Sequence, residues 1–213
     1  MSHDDFEIEP VEGLPARPPE GEVILWQGRP DWRRLTWEAL SLPWVLGYFG
    51  VLAFWRFISV VDQMPLGQAI GATIPFFLVA GLATGLLALT ALVQARATMY
   101  TVTNRRVAMR IGAALTMTLN LPYTQIANAM LDLRKGGSGT IAFETMGDTR
   151  LSYLMCWPHV RPWHMKATQP ALRCIRDAEA VAELIADAAQ ARVSQPQVSR
   201  TLVSEPASAV AAE

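Results

Sequence analysis

Between Arg56 and Arg96 the chain carries a single charged residue, Asp62. A soluble domain averages about one charged residue in four. Here 17% of the 213 residues are charged, and the shortfall is concentrated in this one region. Two apolar stretches border Asp62. Ala39–Trp55 is free of charge and as a helix would rise about 26 Å at ~1.5 Å per residue. Extension through Leu35–Trp37 and Phe57–Ile58 predicts a span over 35–58, close to the ~30 Å hydrocarbon core. Trp32 and Trp37 mark one end and Trp55 the other, as interfacial aromatics do. Pro43 falls near the first turn, where its missing donor matters least. Gln63–Ala95 is also free of charge, and its apolar centre at 69–93 is long enough to cross at a tilt, with a kink expected at Pro75. The short connection Ser59–Gln68 makes the pair an antiparallel transmembrane hairpin.

Basic residues set the orientation. Arg29, Arg33, Arg34, Arg96, Arg105, Arg106 and Arg110 flank the outer ends of the two spans, and only Arg56 lies on the connecting side. The positive-inside rule then predicts a multi-pass inner-membrane protein with both termini cytoplasmic. The first twenty residues hold Asp4, Asp5, Glu7, Glu9, Glu12 and Glu20 against Arg17, the opposite of the basic start of a secretory leader. Residues 1–20 are expected to form a disordered acidic tail, and 193–213, polar and Ala-rich, a second one.

After Arg96 the pattern changes to period two. Val107, Met109 and Ile111 alternate with Arg106, Ala108 and Arg110. Leu115, Met117, Leu119 and Leu121 alternate with Thr116, Thr118 and Asn120. Ile141 and Phe143 continue the pattern, as do Leu151, Tyr153 and Met155. These are half-buried strands, with turns offered at Asn104-Arg105, Gly112, Pro122, Gly136-Gly137 and Gly147-Asp148. Ile111–Leu131 also lacks charge, but Asn120, Pro122, Gln125 and Asn128 would be stranded at membrane depth, so a third span is rejected. Residues 177–192 read as an amphipathic helix, with Asp177 as N-cap and Val181, Leu184, Ile185 and Ala188 as its apolar stripe. The predicted fold is membrane α + β. It has a two-helix hairpin and a cytoplasmic domain over 96–192, an antiparallel β-barrel or sandwich capped by the C-terminal helix.

The near-neutral net charge of −1 excludes a globally basic nucleic-acid binder. Within 96–176, however, eleven basic residues face three acidic ones. Arg105, Arg106, Arg110, Arg134, Lys135 and Arg161 are candidates for a basic surface that rests on anionic lipid or an acidic partner. The generic cytoplasmic bias of a membrane protein accounts for the same excess. Gly67/Gly71 and Gly81/Gly85 have helix-packing spacing. Gly81, Gly85 and Gly71 could meet a partner helix or a second copy of the chain, or pack on the first span, and packing on the first span is the simpler expectation. His159 and His164 read as loop histidines without a metal or pigment. Cys156 and Cys174 lack metal-ligand or redox spacing. Glu38 is expected in an interfacial ion pair near Arg33–Arg34. No phosphate loop, nucleophile triad or paired carboxylates appear, so neither a catalytic residue nor a cofactor is assigned.

Gly21-Glu22, Ile24-Leu25-Trp26, Gly28-Arg29-Pro30, the two spans and Tyr100-Thr101-Val102-Thr103-Asn104-Arg105-Arg106-Val107 together resemble the bacterial PH-like membrane proteins. Leu121-Pro122-Tyr123-Thr124-Gln125-Ile126 fits the same pattern. Trp157-Pro158-His159-Val160-Arg161-Pro162-Trp163 is more specific, and with it the chain resembles the PuhB-type photosynthetic-complex assembly proteins of purple bacteria. The resemblance covers about residues 20–190. It implies a PH-like domain whose first strand comes from 21–34. It also implies a non-enzymatic role in building the photosynthetic reaction centre and its core antenna, with those subunits as partners, in the intracytoplasmic photosynthetic membrane. A PH-like scaffold in another process and a pigment-handling protein are the alternatives.

Overall fold

The computed structural model describes residues 10–113, 116–147 and 151–194. Strand β1 (Ile24–Gly28) precedes the helices and pairs antiparallel with β2 (Met99–Thr103), the first strand after them. β3 (Arg106–Ile111) and β4 (Met117–Pro122) complete an antiparallel sheet in the order β1-β2-β3-β4. A 3-10 turn at Tyr123–Gln125 leads to β5 (Ile126–Leu133), β6 (Gly139–Thr145) and β7 (Ala171–Ile175), which form a second antiparallel sheet. Among the described residues no strand pair joins the two sheets, so they pack as a sandwich and are not closed into a barrel.

The two sheets share one core. Tyr100, Val102, Val107 and Met109 from the first sheet meet Ile141, Phe143, Leu172 and Ile175 from the second. Helix α6 (Ala178–Val193) covers that core, lying against the 3-10 turn, β5 and β6. Its buried stripe is Ala178, Val181, Ile185 and Ala188, with Leu184 half-buried at the margin. Gly139 lets the helix approach, since a Cβ there would come within 2.7 Å of the Asp132 carbonyl oxygen and 2.9 Å of the Ala178 Cβ.

The apolar region forms helices α2 (Leu42–Val61), α3 (Leu66–Gly71) and α4 (Ile74–Ala97). Among the described residues two helical stretches, Leu42–Val61 and Leu66–Ala97, are long and apolar enough to cross a membrane. Leu46, Val51, Phe54, Phe77, Leu82 and Leu86 are exposed on them. α2 and α4 pack side by side, and the buried residues on them are mainly small, Ala53 on α2 and Ala80, Ala91 and Ala95 on α4.

Several expectations are corrected. The first long helix starts at Leu42 and not at Leu35. Residues Leu35–Ala39 form a π-helical turn after the short helix α1 (Trp32–Arg34), and Ser41 has a left-handed backbone with φ 55°. Leu35 and Leu40 are thereby turned toward Ala91, Ala95 and Cys174. The second apolar stretch breaks at Ala72–Thr73, and Pro75 opens α4 instead of kinking a longer helix. Tyr153–Cys156 is a short helix, α5, not a strand. Residues 10–20, expected in a disordered tail, are packed on the strand domain. Leu14 is 1% exposed, Gln27 Nε2 donates to the Glu12 carbonyl oxygen at 3.0 Å, and Arg29 pairs with Glu12. Residues 1–9, Leu115, Asp148, Arg150 and 195–213 lie outside the described residues.

Candidate functional site

The Trp157–Trp163 motif sits where α4 meets the second sheet. Its middle adds a short antiparallel contact beside β7: Arg161 N donates to the Gln169 carbonyl oxygen at 2.9 Å, and Ala171 N to that of His159 at 2.9 Å. The Trp157–Pro158 peptide is cis. This path turns His159 inward, where it is 1% exposed. The histidine lies in a loop, as expected, but that loop buries it in the core.

Hydrogen bonding fixes its state. The Arg173 backbone N–H donates to Tyr100 Oη at 3.2 Å, so the phenol uses its own proton toward His159 Nδ1 at 2.6 Å. Nδ1 is then the acceptor, and Nε2 carries the ring proton and donates to Thr98 Oγ1 at 3.0 Å. Thr98 passes its own proton to the Gln94 carbonyl oxygen at 2.7 Å. Every member has a partner, and the directions close only for a neutral imidazole. Burial first, and then the Arg173 charge, hold the His159 pKa down at about 3. Burial likewise raises the Tyr100 pKa far above the ordinary phenol range. The chain of bonds ties the last turn of α4 to β7 and the motif.

Arg173 is the residue that sequence reasoning missed, because it entered only as one charge among many. It lies on β7, whose five residues are all buried, and is 6% exposed. Its Nη1 reaches the Pro158 and Val160 carbonyl oxygens at 3.4 and 3.5 Å, and its Nε finds no acceptor. The available signal was a lone charge inside the apolar run Ala171-Leu172-Arg173-Cys174-Ile175. Glu38 forms its ion pair with Arg134 at 3.7 Å, not with its sequence neighbours Arg33–Arg34. The Cys174 thiol is pushed up to about 12 by burial and then by Glu38, which leaves it a protonated, unreactive group. Burial also raises Cys156.

The basic candidates do not form one patch. Arg105 and Arg106 sit at the β2–β3 turn, about 17 Å of strand from the end of α4 at ~3.3 Å per residue. Arg106 is paired with Glu22 at 2.8 Å, and Arg105 Nη2 donates to the Glu20 carbonyl oxygen at 3.1 Å. Arg110 lies farther along β3. Arg134 and Lys135 are at the opposite turn beside Arg34, and Arg134 also pairs with Asp132 at 3.0 Å. Arg161 donates to Gln169 Oε1 at 3.1 Å and contacts Met130 Sδ. Trp157 is 40% exposed and Trp163 87%, so the motif buries its histidine while presenting two indoles outward.

The glycines behave differently from the simpler expectation. A Cβ on Gly71, Gly81 or Gly85 would meet nothing within 4 Å, and the same holds for Gly47 and Gly50. None of them brings α2 against α4, since alanines occupy that seam. Gly81 and Gly85, one helical turn apart, leave a thin strip of α4 without a partner in this chain.

A two-sheet antiparallel domain with a C-terminal helix, joined to a long apolar helical hairpin, is the architecture of a PH-like module. The bacterial PH domain family matches residues 42–189, and the chain belongs to that family. It is 45% identical over 200 residues to an "Uncharacterized 23.7 kDa protein in puhA 5'region" of Rhodobacter capsulatus, covering 93% of this chain and 94% of that protein. A DUF1696-family protein with a pleckstrin-homology domain from Shewanella loihica aligns at 13% identity with a TM-score of 0.29, over 43% of this chain and 71% of its own. That likeness adds nothing to the family assignment.

Proposed function

We propose that this chain is a non-enzymatic assembly factor that holds intermediates of the photosynthetic reaction centre and its core antenna. The hairpin crosses the inner membrane with both chain ends on the cytoplasmic side. The observation that carries the reading is the outward face of α4, where Gly81 and Gly85 are open and Leu78, Leu82 and Leu89 are exposed. In a bilayer the leucines are at home in lipid, and the glycine strip is where another helix can approach closely. The likeness to PuhB-type proteins supplies the identity of the partners. The Rhodobacter capsulatus relative is described by its position in the puhA 5' region, which supports a photosynthesis-related role. The hydrogen-bonded link from Gln94 to Arg173 would keep the PH domain at a fixed attitude to whatever α4 engages.

Deletion of the gene in its native host tests the proposal. The amount of mature complex should fall, while the complexes that do form keep normal photochemistry. Normal yield with altered pigment composition would replace this reading with a pigment-handling one. Topology is tested separately with single-cysteine probes. A probe at Gln63 should react with an impermeant reagent from outside, and one at Ser194 should be spared.

A further inference from the structure

We infer that the cavity between the start of α2 and the Trp157–Met165 loop is a discrete site for one membrane phospholipid, with its phosphate on Arg173 and its acyl chains along α2. The inference rests on the membrane reading above but concerns a different surface from the glycine strip. The cavity has a volume of about 730 Å³, and its lining includes Arg173, Glu38, Trp44, Tyr153, Trp157 and Trp163. That space suits a headgroup with the upper part of its chains.

Arg173 carries the argument. It is 6% exposed, and among the described residues it makes no ion pair. Its guanidinium makes two hydrogen bonds, both long, from Nη1 to carbonyl oxygens at 3.4 and 3.5 Å, and its buried Nε–H has no acceptor. A guanidinium does not shed its proton to relieve burial, as a lysine or histidine can. A buried, permanently charged and under-bonded group that lines an open cavity calls for an anion, and phosphate matches the planar donor geometry of arginine. Glu38 on the same wall is held by Arg134 at 3.7 Å, which offsets its repulsion of an incoming anion.

The position selects a lipid over a small soluble anion. Trp44 is in the first turn of α2 and is 82% exposed, and Trp163 across the cavity is 87% exposed. Indoles presented at the point where an apolar helix begins mark the headgroup level of a bilayer. A phosphate on Arg173 would therefore sit at the depth where phospholipid phosphates lie, with the apolar surface of α2 leading away from it. Arg105 and Arg106, by contrast, are far from α4 and already engaged by Glu20 and Glu22.

The test uses the full chain in detergent micelles, titrated with phosphatidylglycerol carrying brominated acyl chains, which quench nearby tryptophan fluorescence. Diacylglycerol with the same brominated chains is the phosphate-free control. Saturable quenching by phosphatidylglycerol is expected, weakened about tenfold or more in Arg173→Gln through loss of a charge-assisted contact. Arg105→Gln should leave it unchanged. Equal binding by wild type and Arg173→Gln, or equal binding of diacylglycerol, would overturn the site. Protection by inorganic phosphate without any lipid quenching would overturn the lipid as its occupant. Should Arg173→Gln not fold, native mass spectrometry of the wild type decides: one phospholipid retained after annular lipid is stripped supports the site, and none retained overturns it. Extraction of the chain from membranes by alkaline carbonate would defeat the membrane reading on its own, whatever the micelle titration shows.

Discussion

Phe143 and Phe77 are the same side chain in opposite circumstances. Phe143, on β6, has no exposed surface and sits in the core shared by both sheets and α6. Phe77, on α4, is 60% exposed, with Leu78 and Leu82 similarly placed. The strand domain supplies its own apolar environment from residues distant in sequence. The helices leave most of their apolar surface without a partner in the chain, apart from the buried alanines, Val60 and the junction at Leu35, Leu40 and Cys174. A lesion in one region should therefore register as lost stability, and a lesion in the other as lost association.

The largest separation is expected between those two phenylalanines. Phe143→Ala should lower unfolding free energy by about 3–5 kcal/mol through lost transfer and an unfilled cavity. Phe77→Ala should change it by only about 0.5 kcal/mol in micelles. Near-UV circular dichroism of the detergent-solubilised chain during thermal unfolding reads both. Similar losses would mean that α4 is buried within the chain.

A second effect comes from the junction. The His159 pKa is about 3 in the folded chain, against about 6.5 for a free histidine. The unfolded state binds the additional proton between those values, so folding loses stability as pH falls. The contribution is fully present above pH ~6.5, about 2 kcal/mol of it is gone by pH 5, and it continues to fall toward pH 3. Denaturant midpoints measured across this window should drop for the wild type and flatten in His159→Gln. A third, smaller effect isolates the donor. Tyr100→Phe removes the proton offered to Nδ1 and strands the Arg173 N–H, at a cost of about 1–3 kcal/mol for buried groups left without partners.

How far the sequence revealed this arrangement depended on which partners each residue has. β3 and β6 were legible because inward Val107, Met109, Ile141 and Phe143 alternate with neighbours of another kind. α6 was legible from its helical stripe. β7 was not, because all five of its residues are buried and no alternation survives. The Tyr153–Cys156 helix imitates a strand because four residues are too few to separate the two periods. Ala108 read as outward-facing, yet it is fully buried. The break at Ser41 and the π-helical turn serve packing on Ala91 and Ala95, about fifty residues away in the chain, and no local signal encodes that. The burial of His159 was hidden for the same reason. Its partners Thr98 and Tyr100 lie some sixty positions earlier, so nothing around the motif says that its imidazole turns inward. Arg173 and its cavity were invisible until β7 was placed beside the motif.

The smallest expected change in stability is also the sharpest test of the comparison. Gly81→Leu and Gly85→Leu put side chains where a Cβ meets nothing within 4 Å. Neither should disturb α2 against α4, since neither glycine's Cβ position comes within 4 Å of α2. Replacing glycine in a helix interior also removes a penalty of up to ~1 kcal/mol. The unfolding midpoint should stay level or rise slightly. If the strip receives a partner helix, the added side chains block its approach, and the yield of mature complex should fall with the protein's own level held equal. Charge reversal at Arg134 and Lys135 is the matched perturbation on the strand domain. Loss of yield from the glycine variants alone places the contact in the membrane. Loss from the basic pair alone moves it to the turn beside Glu38, and the exposed face of α4 would then be in contact with lipid only.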